Sequence, residues 1–288
     1  MLKSADILYR KDISKYVKEF MKLEREGQIP VFRIINLETV NRCNGKCAFC
    51  PANARDEKRP LKKMEDSLFQ TIVSQLDDMK WKGQIFLNVN NEPLIDLNII
   101  DKARILRERL GKHVEISMIT NGTLLTEEKL KELACYLDTI CINNYSTCYA
   151  LTDHNRKLYN FVTLNSSLFS TVDITFSRRY SKEILASRAG AAPNKSKKNI
   201  NITTPCIYPF TDVTVFPDGQ VGLCCNDCFE ITSFGNLNDT SLLDIWQGEE
   251  YSRAREAIAK GREKYPFCKE CDVSDSGFRE KIIKKYRL

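Results

Sequence analysis

Three cysteines stand at a spacing that can hold a metal cluster, Cys43-Asn-Gly-Lys-Cys47-Ala-Phe-Cys50. Thiolates arranged as C-x3-C-x2-C can wrap one face of a cubane [4Fe–4S] cluster and leave its fourth iron without a protein ligand. An open iron accepts a substrate or cofactor by the logic of an open catalytic zinc position. Asn44, Gly45 and Ala48 between the thiols are small or adaptable, as a tightly wound loop requires. The alternative is zinc, or buried free thiols. A mixed Cys/His zinc site has little to build from, because the two histidines, His113 and His154, lie far from the loop in sequence. A second set of cysteines falls at 206, 224, 225, 228, 268 and 271. Six thiols can complete one four-cysteine site but not two.

The elements that must position these thiols follow a repeating pattern. Apolar strand-like runs at 31–40, 85–89, 114–119, 139–143 and 172–176 alternate with helical stripes, such as Leu68, Ile72, Leu76 and Met79, or Ile99, Ala103, Leu106 and Leu110. Such alternation predicts parallel strands joined by crossover helices. Five or six units make an α/β fold, an open, partial (β/α)5-6 barrel. The thiol loop follows the first strand directly, at the mouth where such sheets bind ligands. Ahead of the barrel, Ile13, Tyr16, Val17, Phe20 and Met21 form one stripe of a short helix over 13–26, ended by Pro30. A small, polar, basic stretch at 189–199 reads as a loop. After it come a hairpin over 211–223 turning at Pro217-Asp218-Gly219, helices near 241–247 and 250–260, and the pair Cys268 and Cys271. The expected organisation is an N-terminal helical extension (1–30), a barrel (31–195) and a small cysteine-rich domain (196–288).

Hydrophobic residues make up 42% of the chain, enough for a substantial core and against global disorder. The net charge of +6 is spread along the chain and leaves no footprint for nucleic acid. No stretch approaches the length of a membrane span, and the first residues carry no signal-peptide pattern. The 12 cysteines are therefore expected in a reducing cytoplasm, where close spacing means metal more often than disulfide. Lone cysteines usually behave as small buried hydrophobes, and Cys135, on a helix expected over 126–137, fits that reading.

The thiol loop, with Phe49 before its last cysteine, resembles the radical S-adenosylmethionine superfamily. Two further motifs follow in that family's order. Asn90-Asn-Glu-Pro-Leu94 is similar to its Gly-Gly-Glu-Pro-Leu element, with asparagines replacing both glycines, and Ile119-Thr-Asn-Gly-Thr123 is similar to its Thr-Asn-Gly turn. The resemblance implies a [4Fe–4S] cluster on Cys43, Cys47 and Cys50, and S-adenosylmethionine held by Phe49, Asn91, Glu92, Thr120, Asn121 and Asn143. Glu92 would accept from the methionyl ammonium, and Asn143 would reach the ribose or the substrate. Reductive cleavage would then free a 5′-deoxyadenosyl radical.

Residues 206–272 resemble the auxiliary-cluster domains called SPASM and, in shortened form, twitch. The set most like a twitch domain is Cys206, Cys224, Cys268 and Cys271, at intervals of 18, 44 and 3 residues. It implies a second [4Fe–4S] cluster. Cys225 is an alternative to Cys224, although strand alternation sends the two side chains to opposite faces. A zinc ribbon on the same four thiols is the competing use. The intervals look close to those of single-auxiliary-cluster aminocyclitol dehydrogenases, which implies an oxidoreductase acting on a sugar or cyclitol hydroxyl carbon. The partners would be a small-molecule substrate and an external one-electron reductant such as flavodoxin or ferredoxin, with no nucleic acid and no membrane. Arg188 would bind the substrate or stabilise a developing oxyanion. Cys225 or Cys228 could instead return hydrogen to a substrate radical, which would make the enzyme an epimerase. A peptide-modifying maturase is a third reading. The roughly 30 residues before the first strand are too few for a separate peptide-binding domain.

Overall fold

The computed structural model describes residues 4–52, 60–195 and 203–273. A seven-stranded sheet forms its centre, in the order β5-β4-β3-β2-β1-β6-β7. The strands are β1 (Ile34–Leu37), β2 (Gln84–Phe86), β3 (Glu115–Thr120), β4 (Thr139–Ser146), β5 (Asp173–Tyr180), β6 (Asp212–Val215) and β7 (Val221–Gly222). Strands β1 to β5 pair in parallel, each with its successor. Each of the five strand-like runs of the sequence overlaps one of the strands β1 to β5, with the runs at 31–40 and 85–89 continuing past theirs.

Helices α1 (Ser4–Arg25), α2 (Asp66–Asp78), α3 (Ile99–Leu110), α4 (Glu127–Ala134) and α5 (Asp153–Leu164) precede or connect the strands, and α6 (Leu242–Gln247) and α7 (Glu249–Lys260) follow them. The stripes bury as their spacing predicts, except that Met79 caps α2 and is half-buried. Leu68, Phe69, Ile72, Val73 and Leu76 of α2 and Ile99, Ala103, Leu106 and Leu110 of α3 all enter the core, each large side chain stabilising the fold by about 1.5–3 kcal/mol.

The hairpin forms, with Gly219 at φ +85° in its turn and β6 and β7 antiparallel. Its placement differs from the division at residue 195. Strand β6 pairs in parallel with β1, from Ile34 against Asp212 to Leu37 against Val215, so it is a strand of the barrel sheet. The reason lies in its side chains. Asp212, Val213, Thr214 and Val215 are all buried, the pattern of a strand covered on both faces.

The N-terminal helix is likewise no loose extension. Phe20 meets Phe210 edge-on at 5.3 Å, and the Trp246 indole N–H donates to the Pro30 carbonyl at 2.8 Å. Arg255 of α7, fully buried, pairs with Glu24 of α1 at 2.9 Å and lies 4.0 Å over the Trp246 ring.

Cys135 departs from expectation. Helix α4 stops at Ala134, Cys135 caps it, and its thiol is exposed. Leu130, Leu133, Ala134 and Leu137 already occupy the core-facing stripe. The polar loop at 189–199 is a run of turns as far as Lys195; positions 196–199 lie outside the described residues.

Candidate active site between two groups of thiols

The first group of thiols leaves the C-terminal end of β1. Asn41, buried just before it, anchors the loop: its Oδ1 accepts from Lys62 N at 2.9 Å and its Nδ2 donates to Pro60 O at 3.0 Å. Farther on, Ala48 N donates to Ser181 O, just past β5, at 3.2 Å. The loop is thus strapped across the mouth from β1 to β5. Burial, with a smaller contribution from neighbouring thiols, pushes the Cys43 thiol up to about 11 and the Cys47 thiol up to about 12. Cys47 feels both Cys43 and Cys50, and Cys43 feels Cys50. Thiols that resist ionising alone can ionise together on a cluster whose positive iron compensates them. There is also little room to spare inside the loop: a Cβ at Gly45 would meet Cys43 Sγ at 3.3 Å.

The two motifs meet beside this loop. Glu92 is buried and accepts three protein hydrogen bonds, from Leu94 N at 3.2 Å, Thr120 Oγ1 at 2.6 Å and Asn121 N at 2.7 Å. It therefore ties the end of β2 to the end of β3, and its second oxygen keeps one acceptor direction. Burial raises its carboxyl pKa, and those three bonds only partly offset the rise. Asn121 reaches the other way, donating to Asn44 Oδ1 at 2.8 Å, with Cys43 Sγ at 4.0 Å. The turn between them requires glycine. Gly122 has φ +79°, and a Cβ there would strike Asn155 Oδ1 and come within 2.9 Å of Ile142. Asn91 Nδ2 is buried and has no partner among the described residues, while its Oδ1 accepts from Val89 N at 3.0 Å. An orphaned donor here suits a bound carboxylate or carbonyl oxygen.

Strand β4 shows two faces. Ile140, Ile142 and Asn144 are buried, with Asn144 accepting from Asn155 of α5 at 3.0 Å. Cys141, Asn143 and Tyr145 alternate onto the other, half-buried face. Tyr145 packs against Phe49 at 5.5 Å. Asn143 contacts the Cys141 thiol at 3.6 Å. A cavity of about 250 Å³ opens beside the loop, lined by Cys47, Asn121, Thr123, Tyr145 and Ser181 among others.

The second group of thiols gathers Cys206, Cys224, Cys268 and Cys271, all buried. Burial raises the Cys224 thiol well above its ordinary value, and Cys225, Cys268, Cys206 and Cys271 raise it further. Cys268 is raised by burial and then by Cys206 and Cys271. Cys225 is half-buried, and its carbonyl accepts from Asn90 Nδ2 at 3.3 Å and from Arg188 Nη2 at 3.1 Å. Four buried thiols and no histidine suit an iron–sulfur cluster.

Between the two groups stands Arg188. Its Nη2 donates to Asn90 Oδ1 as well as to Cys225 O, and its Nε is shielded with no protein partner among the described residues. Burial opposes its charge, but Cys228, Cys50 and Cys225, in that order, favour it, and the guanidinium stays protonated. A residue sensing both Cys50 and Cys228 sits at the junction of the two groups. The Ser187–Ala189 turn that carries it, with φ +50° at Arg188, is buckled to the second group: Ser187 Oγ donates to Glu270 O at 2.6 Å and accepts from Asp272 N at 3.0 Å. Cys228 is 2% exposed and donates its thiol proton to Asn90 Oδ1 at 3.1 Å.

A model of the radical SAM superfamily matches residues 37–143, and one of the iron–sulfur cluster-binding SPASM domain matches residues 206–272. The chain carries a radical SAM domain followed by a SPASM domain. Among its relatives, the S-adenosyl-L-methionine-dependent 2-deoxy-scyllo-inosamine dehydrogenase of Niallia circulans is 25% identical over 247 residues, covering 84% of this chain and 93% of that one. The tungsten-containing aldehyde ferredoxin oxidoreductase cofactor-modifying protein of Pyrococcus furiosus is 34% identical over 103 residues, 35% of this chain and 27% of that one. The crystal structure of BtrN in complex with AdoMet and 2-DOIA superposes with TM-score 0.72 at 23% identity, covering 85% of this chain and 94% of that one. Its radical SAM region implies S-adenosylmethionine and a [4Fe–4S] cluster, and its SPASM region implies auxiliary cluster iron. No helix among the described residues is long and apolar enough to cross a membrane.

Three residues of the junction escape the sequence reading. Asn90 lies in the quoted motif, yet only its neighbours Asn91 and Glu92 are singled out there. Tyr145 is two residues from Asn143, and strand alternation alone would have placed it on the same face. Glu38, whose Oε1 accepts from Asn90 N at 2.9 Å, has no motif around it.

Proposed function

We propose that this enzyme oxidises a hydroxyl-bearing carbon of a sugar or cyclitol. When bound, the cofactors supply a 5′-deoxyadenosyl radical that takes hydrogen from carbon and an acceptor for the second electron. Cys43, Cys47 and Cys50 would hold the radical-generating cluster. Asn91, Asn121 and Asn143, with Phe49 behind the loop, would hold S-adenosylmethionine; Glu92 would accept from its methionyl ammonium and, with Thr120, would fix the strand ends that carry these residues. Cys206, Cys224, Cys268 and Cys271 would hold the auxiliary cluster. The barrel then runs through 31–195 and borrows β6 from a cysteine-rich part that begins near 196.

One observation carries this reading: Arg188 donates to the Cys225 carbonyl and to Asn90, the partner of the Cys228 thiol, and its charge also feels Cys50. A substrate hydroxyl accepting from Arg188 would lie between the source of the radical and the second group of thiols. The guanidinium does not give up its proton. It would instead favour the oxyanion as the hydroxyl proton passes to solvent water through the open cavity beside Arg188, and an electron-rich oxygen on a carbon radical makes that radical easier to oxidise. The similarity to a 2-deoxy-scyllo-inosamine dehydrogenase supports the substrate class. A flavodoxin or ferredoxin of a reducing cytoplasm would supply the first electron.

The test is anaerobic turnover of the reconstituted protein with aminocyclitols and sugars, following 5′-deoxyadenosine and ketone together. Equal amounts of both are expected. Formation of 5′-deoxyadenosine with an isomerised, unoxidised product would overturn the reading. A second reading rests on Cys228, whose buried thiol lines the cavity next to Arg188: a hydrogen atom returned from it to the substrate carbon would give epimerisation.

A further inference from the structure

The cavity that reaches Arg188 is larger and more apolar than a polyol ring calls for. Its volume is about 580 Å³, within the range of about 300–1,000 Å³ that buries drug-sized molecules. At its inner end are Arg188, Cys228 and Asn226. Its outer part is walled by Phe229, Ile231, Tyr265, Pro266 and Phe267. Ile231 is 66% exposed, a large hydrophobe left in contact with solvent in this wall. Buried polar residues suited to a ring of hydroxyls, Asn226, Asp227 and Thr232, stand with Arg188 and Cys228, whereas Ser233, Lys269 and Glu270 are polar members of the rim. Hydroxyl groups placed against Phe229, Ile231 and Phe267 would lose water without gaining partners.

We infer that the outer part is a second subsite, and that the natural substrate is a hydroxylated ring carrying an apolar or aromatic substituent, as in a glycoside with an apolar aglycone. The ring lies at Arg188 and the substituent extends along Phe229, Ile231 and Phe267. The inference rests on the reading of Arg188 as the residue that grips the reacting ring. Continuity supports it, because the same cavity touches both Arg188 and the aromatic wall. The wall is also built into the fold. Phe267 and Tyr265 flank the turn leading into Cys268, and Tyr265 O accepts from Cys268 N at 2.9 Å.

The experiment uses the reconstituted holoenzyme with S-adenosylmethionine. It measures binding of a free cyclitol, a phenyl glycoside of comparable hydroxyl pattern and the apolar dye anilinonaphthalene sulfonate. The phenyl glycoside is expected to bind at least about tenfold more tightly than the free ring and to displace the dye. Ile231→Asp is expected to cut that preference to about threefold or less while leaving iron content and substrate-free cleavage of S-adenosylmethionine unchanged. Equal binding of ring and glycoside, untouched by Ile231→Asp, would overturn the subsite and leave the ring reading standing. Dye binding that Ile231→Asp abolishes, with neither ring nor glycoside bound, would support the apolar subsite and overturn the hydroxylated ring.

Discussion

The thiol of Cys228 donates to Asn90 Oδ1 across 3.1 Å, joining the loop after β2 to the turn after β7. The same oxygen accepts from Arg188, so one asparagine of the loop after β2 ties the turn that follows β5 to the cysteine-rich part.

Cys228→Ala should test what that thiol does. If it only packs, the variant loses one hydrogen bond, worth about 0.5–1.5 kcal/mol of stability, and keeps kcat within about tenfold. Product formed in heavy water should then carry no deuterium at the abstracted position, as read by mass spectrometry. Cys225→Ala should also keep substantial activity. Deuterium at that carbon, together with arrest of Cys228→Ala after hydrogen abstraction, would identify an epimerase.

Iron content should report the two groups of thiols separately. The anaerobically reconstituted protein should hold about eight iron atoms per chain. Replacing Cys43, Cys47 and Cys50 with alanine should roughly halve that and abolish S-adenosylmethionine cleavage. Zinc at the remaining site would contradict an auxiliary cluster on Cys206, Cys224, Cys268 and Cys271.

Glu92→Gln should weaken S-adenosylmethionine binding by one to two decades without lowering iron content, since a charge-assisted bond is worth about 1.5–3 kcal/mol. It should also change the pH dependence of stability. Burial raises the folded-state pKa of Glu92, so the folded chain holds that proton more tightly than the unfolded one. The resulting stabilisation is fully present below the unfolded value of about 4.3 and is lost as pH rises through the raised folded value. Relative to Glu92→Gln, the wild type should therefore gain stability as pH falls from neutrality through that window. A difference in urea midpoints that is independent of pH would contradict this.

Arg255 should be costly to remove. Besides Glu24, it donates to Pro209 O at 3.0 Å and Trp246 O at 2.8 Å. Arg255→Met leaves the Glu24 carboxylate buried without its counter-charge and should cost about 3–5 kcal/mol. Pairing it with Glu24→Leu should recover part of the loss, because the unpaired charge is gone. A double variant no more stable than Arg255→Met, by denaturant unfolding, would argue against the pair.

Strand–helix alternation carried the barrel in the sequence, since the strands need only their apolar runs and the helices only their stripes. Cys43, Cys47 and Cys50 were legible because three ligands of one cluster lie within eight residues of one another. The junction was less so. Asn90, Arg188 and Cys228 are separated by 98 and 40 residues in sequence, and the pairing of β6 with β1, together with the Ser187 bonds to Glu270 and Asp272, brings them together. That pairing was hidden because a short buried run followed by a Pro-Asp-Gly turn looks the same in a free hairpin as beside a barrel strand. The role of Glu92 was half legible: its motif marks a cofactor site, whereas its bonds to Thr120 and Asn121 belong to the third dimension.

The pairing of β6 with β1 also bears on how the protein is made. β1 lies between β2 and β6, and its β6 neighbour begins only at residue 212, more than half the chain later. During synthesis, β1 and the thiol loop leave the ribosome long before that flank is closed, with the strand's hydrogen-bonding edge open to other chains. Contacts of such sequence separation also form slowly. Loading of iron at Cys43, Cys47 and Cys50 should therefore be a late event that waits for the C-terminal part, and chains cut before residue 212 should aggregate rather than assemble a half-enzyme.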